Sequence, residues 1–409
     1  IWGKGPTDDS NVKNQRCTDH KSRSCNDSFC PTGDCCCENG ECPTAGLASY
    51  SFHSMLVNLH ITDTPVGYSP PRGSAVGFAV TYNQREVFHP QNFSSGNVGP
   101  KWNFGWQSYI EDDPVVLEQP ANLYVRGGGQ ETYTGYDPGT GSYAHHTQGR
   151  AQVVRVSEDP IQYERRMSDG SVDVYAQPDG ALTFPRKVFL TESTDPQGNS
   201  VSFTYDASLR LVAVTDAIGQ VTTLSYEHPT DPLKITKVTD PFGRYATLEY
   251  DASWRLVKIT DVIGLTSEFQ YGSGDVIEAM TTPYGTTTFD SFDEGRRRWL
   301  EATDPLGGKE RLEYLNDPLD GIHRFSDEFS DFPRNLPSSE IPTGFEVSLI
   351  ENHNYRNTFF WDKRASALYP GDYSKAKMMH WLHEDNLSTT SGVVETEKEP
   401  LETMRTFYK

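Results

Sequence analysis

The sequence predicts an all-β fold in which successive β-hairpins join edge to edge into one long curled sheet. Three observations lead there. A turn of the form Thr-Asp-x-x-Gly or a near relative begins at Thr194, Thr215, Thr239, Thr260, Thr281 and Thr303, at intervals of 21, 24, 21, 21 and 22 residues. Each turn glycine is followed seven residues later by an aromatic: Gly198 by Tyr205, Gly219 by Tyr226, Gly243 by Tyr250, Gly264 by Tyr271, Gly285 by Phe292 and Gly307 by Tyr314. Between them apolar and polar residues alternate at the strand period, as in Val201-Ser202-Phe203-Thr204-Tyr205. A fixed period with a glycine and an aromatic in every unit marks a repeat architecture, in which one small unit buries its face against its neighbours.

Each repeat supplies a second short run as well, such as Leu211-Val212-Ala213-Val214 or Leu256-Val257-Lys258-Ile259, so the unit reads as a hairpin. The corners Asp195-Pro196-Gln197-Gly198, Asp240-Pro241-Phe242-Gly243 and Asp304-Pro305-Leu306-Gly307 have turn chemistry. Asp bonds its own backbone, Pro fixes φ, and Gly takes φ > 0.

Five segments follow from punctuation and composition. Residues 1–45 hold all seven cysteines (Cys17, Cys25, Cys30, Cys35, Cys36, Cys37 and Cys42) in a stretch with few apolar residues. A segment that cannot build its own core needs cross-links, which persist in oxidising compartments, so the cysteines are disulfide candidates and the protein is expected outside the cytosol. A metal cluster is the alternative, although paired Cys-x-x-Cys spacing and a completing histidine set are missing. Seven is odd, leaving one thiol free, paired with another chain, or in such a cluster.

Residues 46–193 read as an N-terminal β region of short strands and degenerate hairpins. Trp102, Phe104, Trp106, Tyr109 and Ile110 concentrate aromatic and apolar bulk there. They suit an aromatic plug at the first end of the sheet; a carbohydrate-stacking platform on Trp102 and Trp106 is the other reading. Residues 194–314 are the six repeats. Residues 315–345, with four prolines and many charges, read as an irregular insertion. Residues 346–409 return to strand and then to one short helix over Ser374–Glu384, where Ala376, Met379 and Leu382 recur at helical spacing. The chain starts at Ile1 without Met or an apolar leader and stops at Lys409 without a cap, so it is expected to be processed or part of a longer product.

Tyr205-Asp206-Ala207-Ser208-Leu209-Arg210-Leu211, Tyr250-Asp251-Ala252-Ser253-Trp254-Arg255-Leu256 and Phe292-Asp293-Glu294-Gly295-Arg296 resemble the tyrosine-aspartate (YD) repeat of the rearrangement-hotspot (RHS) family. Tyr68-Ser69-Pro70-Pro71, Tyr82-Asn83-Gln84-Arg85-Glu86, Arg356–Lys363, Asp372–Ala376 and His380–His383 are similar to stretches of its large secreted members. The likeness spans roughly residues 46–409. It implies a sheet that spirals into part of an RHS-type cocoon. In toxin-bearing relatives the cocoon encloses a C-terminal toxic domain, and metazoan relatives of the repeat bind other cells' proteins. Some members cut their own chain near an Asp-Pro-x-Gly-Leu stretch. Asp317-Pro318-Leu319-Asp320-Gly321 and Asp304-Pro305-Leu306-Gly307-Gly308 match this only partly and lie early, which sets self-cleavage aside.

Charge and motif narrow the function further. The formal net charge is −21, which would repel phosphates, so nucleic acid is not an expected partner. No apolar run approaches the roughly 18 residues of a membrane-spanning helix. His380, His383 and Glu384 could face a metal from one helix, but packing is the plainer role and no third element completes the set. Asp195, Asp216, Asp240, Asp261 and Asp304 recur because the turn recurs, without the contrasting environments of a catalytic pair. Their oxygen-rich loops also suit Ca2+. No cofactor is expected and no enzyme. Asn26, Asn92 and Asn386 stand in N-x-Ser sequences that would matter on a glycosylating secretory route. The expected function is a secreted wall segment that encloses cargo or assembles with its own downstream chain, copies of itself or another extracellular protein. The alternative is a cell-surface adhesion or glycan-binding module.

Overall fold

The computed structural model describes residues 47–54, 56–87, 93–116, 118–146, 149–294, 297–315, 356–372, 375–383, 393–398 and 406–408. The seven cysteines, the three N-x-Ser asparagines, the insertion at 316–345, with the partial cleavage match at 317–321, and Glu384 lie outside the described residues. Two compact units emerge, one built on Ile1–Tyr50 with His60–Val276 and the other on Ser51–Leu59 with Ile277–Lys409.

In the first unit eleven consecutive strands pair antiparallel with their chain neighbours, from Ala151–Glu158 through Arg186–Thr194, Ser200–Tyr205, Leu211–Thr215, Val221–Ser225, Lys237–Thr239, Tyr245–Tyr250 and Leu256–Thr260 to Thr266–Tyr271. The sheet branches at Arg186–Thr194. Its first residues pair with Tyr109–Asp112 (Arg186↔Asp112 to Phe189↔Tyr109), and its last with Ser200–Tyr205 (Glu192↔Ser202 to Thr194↔Ser200). Ala121–Tyr124 and Gln130–Tyr133 extend the branch. A smaller sheet carries Asn58–Asp63, Val80–Asn83 and Trp102–Phe104. In the second unit Ile277–Thr282, Gly285–Glu294, Arg297–Thr303, Lys309–Leu315, Arg356–Trp361, Lys377–His383, Val393–Lys398 and Thr406–Tyr408 pair in the same consecutive antiparallel way.

Alternation along the repeat strands buries one face in register. Phe203 lies opposite Val214, Leu224 opposite Val238, Val238 opposite Ala246 and Leu248 opposite Ile259, all buried. A one-residue slip would turn that whole set to solvent, so the corners that fix the register carry much of the specificity.

Those corners share one geometry. In Asp240-Pro241-Phe242-Gly243-Arg244 the Asp240 N–H donates to Arg244 O (2.9 Å) and the Gly243 N–H to Asp240 O (3.1 Å). Asp240 Oδ1 accepts the N–H groups of Phe242 and Arg244, both at 2.9 Å, and Oδ2 accepts from Arg244 Nε at 2.6 Å. Asp195, Asp216, Asp261 and Asp304 receive the N–H groups two and four residues on in the same way. The opposite corners of the hairpins, at Asp206 and Asp251 of the YD motif, repeat this loop bond for bond. Their left-handed fourth residues are Leu209 (φ 58°) and Trp254 (φ 62°) rather than glycine. Thr281–Gly285 departs from the pattern: Thr282 pairs directly with Gly285 across a two-residue turn.

The tyrosine seven residues beyond Gly198, Gly219, Gly243 and Gly264 closes the unit. Tyr205, Tyr226, Tyr250 and Tyr271 each end or just follow a strand, and their hydroxyls donate to the carbonyls of Leu190, Leu211, Ile235 and Leu256, fifteen residues earlier, at 2.6–2.8 Å. Burial pushes all four hydroxyls above their ordinary pKa, which keeps them protonated donors. A bulge just before Tyr205 and Tyr250 sets each ring in place and adds local twist. In the second unit Phe292 stacks on Trp299, with centroids 6.0 Å apart.

The one described α-helix near the C-terminus, α1, is Lys363–Leu368, started by Asp362, whose side chain accepts the Ala365 N–H at 2.6 Å. The helix expected over Ser374–Glu384 is corrected: Lys377–His383 is a strand with partners on both sides. Ladder bonds to two neighbours outweigh a short helical spacing pattern. The helical premise for a metal at His380, His383 and Glu384 falls with it.

Three outcomes follow. Gly243 has φ 81° with open space where a Cβ would sit, so Gly243→Ala should lower stability by about 1–2 kcal/mol through backbone strain alone, read from the urea midpoint. Tyr250→Phe should cost about 1–2 kcal/mol by stranding the Ile235 carbonyl, whereas Tyr245→Phe, at a half-exposed ring, should stay within roughly 0.5 kcal/mol. At Asp206 and Asp251 burial works against ionisation, but the Arg210 and Arg255 hydrogen bonds and the backbone N–H groups together hold both pKa values below the ordinary range. A depressed folded pKa gives stability that is present above the ordinary value and lost as pH falls through the folded one. Acid titration of the urea midpoint should therefore show a steeper loss below about pH 4 in the wild type than in the Asp206→Asn, Asp251→Asn double variant.

Candidate functional site

The surface that the repeats build in the first unit is a wall with two occupied sides. On its buried face the aromatic segment packs against successive repeats. Trp102 lies 4.9 Å from Phe269 between ring centroids and donates through Nε1 to Tyr271 Oη at 2.8 Å. Tyr82 packs at a tilt beside Trp102 and donates to Asp275 O at 2.9 Å. Trp102 is 0 % and Trp106 7 % exposed, and Phe104, Tyr109 and Ile110 are buried too. The carbohydrate-platform reading of Trp102 and Trp106 is thus corrected, because neither ring offers a face to a sugar.

The 24-residue interval in the repeats has a local cause. Between Ser225 and Lys237 the chain widens to admit Asn97: its N–H donates to Leu233 O (2.9 Å) and its carbonyl accepts from Ile235 N–H (3.1 Å). Lys234, 1 % exposed, donates to Asn97 Oδ1 at 2.7 Å and pairs with Asp231 at 3.0 Å. Burial lowers the Lys234 pKa, with Asp231 opposing. Either side of Asn97, Gly96 and Gly99 lie so close to Tyr226 Oη and Trp254 O that a Cβ would meet them at 2.4 and 2.9 Å.

Along the rim of Asp-x-x-Gly corners runs a strap formed by residues 63–73. It meets the corners one after another. Asp63 Oδ2 accepts from Ser267 Oγ (3.2 Å) and Pro65 O from Val262 N–H (3.3 Å) beside the Asp261 corner. Gly67 O accepts from Arg244 Nη2 (3.1 Å), and the Tyr68 ring meets Phe242 edge-on at 5.4 Å, both at the Asp240 corner. Tyr68 Oη donates to Asp216 Oδ2 (3.1 Å), and Arg72 Nε to Asn199 Oδ1 (2.7 Å), reaching the last two corners. Burial first, then the Asp216 hydrogen bond, pushes the Tyr68 pKa up to about 12. Tyr68-Ser69-Pro70-Pro71 stood out in the sequence, but nothing in its composition told which four corners it would cross.

In each corner carboxylate Oδ1 takes two N–H groups of its own loop; Oδ2 takes Arg210, Arg244, Arg255 or Asn199 from the loop, or Lys363 or Tyr68 from outside it, and only at Asp261 is it without a hydrogen-bond partner. That donor set is a poor fit for the Ca2+ expected there, since hydrogen-bond donors already occupy every corner oxygen but Asp261 Oδ2. Among the described residues no group of three or more His, Cys, Asp or Glu could hold a metal.

A cavity of about 450 Å³ in the first unit is lined by Ser108, Arg126, Glu131, Arg165, Asp173 and Tyr175, among others. Arg126 pairs with Asp173 at 2.8 Å, and Arg165 reaches both Glu131 oxygens at 3.0 and 3.1 Å. Paired charges of this kind can hold a small polar molecule.

Comparison with known proteins adds three findings. Residues 189–217 match the family model described as RHS repeat, which covers the last six residues of the strand Arg186–Thr194, the Asp195 corner, Tyr205 and the Asp206 corner. No curated protein matches the chain. Solved structures that resemble it include a Photorhabdus luminescens Tc holotoxin pore at 9 % identity and TM-score 0.29, covering 85 % of this chain and 19 % of that one. Others are a TcdB2-TccC3 crystal structure without its hypervariable C-terminal region, at 9 % identity and TM-score 0.24, covering 82 % and 19 %, and a TcdB2-TccC3-Cdc42 structure at 10 % and 0.22, covering 87 % and 16 %. The chain thus spans about a fifth of the length of those proteins. The corner and tyrosine geometry inside the matched residues recurs at Asp216, Asp240, Asp251 and Asp261, and the chain carries the RHS, or tyrosine-aspartate, repeat.

Proposed function

We propose that this chain is a wall segment of an RHS-type shell, a secreted structural protein that encloses cargo or assembles into a larger extracellular structure. The observation that carries the reading is the coupling of two features in one unit: hairpins locked in series by identical corners, and an aromatic segment buried against their apolar face. A surface built this way has its chemistry spent on closure. Its carboxylates hold turns, its tyrosine hydroxyls hold carbonyls, and its large rings fill core. The role is structural rather than catalytic, with partners drawn from the downstream chain, copies of itself or another extracellular protein. Disulfides among Cys17 to Cys42 and an extracellular location belong to the same proposal, supported by the cysteine density of residues 1–42. Adhesion to glycans draws no support from Trp102 and Trp106, whose rings are buried.

Native mass spectrometry with limited proteolysis tests the proposal. The 45.8 kDa chain should associate, with itself or with further repeat sequence, and the assembly should shield an enclosed segment from protease. A lone monomer that shields nothing and binds a glycan array would overturn it in favour of adhesion.

A further inference from the structure

The strap is anchored at one end by two buried acids. Asp63 is 4 % and Asp261 5 % exposed, and Ser267, which donates to Asp63 Oδ2, is 1 % exposed. Each acid has one buried oxygen, Asp63 Oδ1 and Asp261 Oδ2, with no hydrogen-bond partner. An ionised oxygen buried without a donor is strongly disfavoured, and the Asp261 charge acts on Asp63, so both cannot stay ionised there unless one is neutralised. A bound cation is a poor answer. Calcium takes six to eight oxygens, and Asp261 Oδ1 is already filled by the Ile263 and Leu265 N–H groups at 2.9 and 2.8 Å. Ser267 Oγ is likewise committed, donating to Asp63 and accepting the Ala48 N–H at 2.9 Å. A proton answers better, and Asp63 is where it belongs, because Asp261 carries the N–H pair that every corner carboxylate uses.

We infer that Asp63 is held as the neutral acid while the strap is docked, and that its ionisation loosens the strap from the Asp261 corner, making this contact a pH-sensitive clasp. Burial is the main cause that pushes the Asp63 pKa up to about 7; the Ser267 and Thr64 hydrogen bonds oppose it, and the Asp261 charge adds to it. The other charged groups around it stand apart. Glu268, on the strand that carries Ser267, is exposed and faces Lys258 at 3.8 Å, His60 lies on the opposite face of Asp63's own strand, and the paired strand Val80–Asn83 carries no charge.

A freed strap returns Asp63 to its ordinary value of 3.8, so opening binds fewer protons than docking between that value and about 7. Opening should therefore grow by up to roughly tenfold per pH unit from about pH 4 to 7 and level off above. Hydrogen exchange of the whole chain tests this through the protection factor of the Val262 amide, whose acceptor is Pro65 O on the strap, with the Leu248 amide, bonded to Thr236 O within the wall, as control. Wild-type protection of Val262 should fall about tenfold between pH 5 and 6 and flatten above 7, with Leu248 unchanged. Asp63→Asn should stay protected throughout, and Ser267→Ala, which removes a bond favouring the ionised form, should move the plateau to higher pH. A flat wild-type profile overturns the clasp without any variant. So does an Asp63→Asn profile that falls like the wild type, or full protection restored at pH 8 by added calcium, which would assign the site to a cation.

Discussion

The structure depends on one small constraint, the aspartate that closes its own five-residue loop. Its Oδ1 gathers the N–H groups two and four residues ahead, and the fourth residue turns left-handed to bring them there. Because both rims of the wall use this loop, consecutive strands reverse in a fixed register, and the apolar face of one strand lands opposite that of the next. The tyrosine at the end of the strand then falls within reach of a carbonyl fifteen residues back. Loop, register and tyrosine form a single causal chain; loosening the first frees the other two.

Left-handed residues other than glycine at Leu209 and Trp254 show how the constraint is shared with packing. Leu209 lies against the Tyr109, Tyr124 and Phe189 cluster, and the carbonyl of Trp254 abuts Gly99 of the aromatic segment. At Leu209 backbone strain of about 1 kcal/mol is offset by side-chain contacts that a glycine could not make; at Trp254 the ring is half-exposed and the contact is made by the backbone. The rim of Asp-x-x-Gly corners is treated differently. There the glycines face open space, and cohesion comes from the strap, which joins four corners through backbone carbonyls, one tyrosine and one arginine.

Much of this was legible in the sequence, and the exceptions have reasons. The corners were readable because Asp, Pro and Gly each act on their own backbone, and the strands because alternation is local. The equivalence of Asp206 and Asp251 to the Asp-x-x-Gly corners was hidden, since the left-handed position carries Leu or Trp, residues that ordinarily argue against that conformation. Lys377–His383 misled because its spacing suits a helix, while the decisive fact, two flanking strands offering ladder bonds, lies far away along the chain. The real helix had a readable start in Asp362, but it is only six residues long and gives little periodicity.

By itself, then, the sequence determined the repeating hairpin, its corners, its buried face and its all-β class, because each rests on interactions within about seven residues. Only the tertiary structure decided what the hairpins meet: Asn97 filling the long repeat, Trp102 reaching Tyr271, the strap crossing four corners, and two acids buried together at its end. Those contacts join residues more than a hundred positions apart, and no local pattern encodes a partner at that distance.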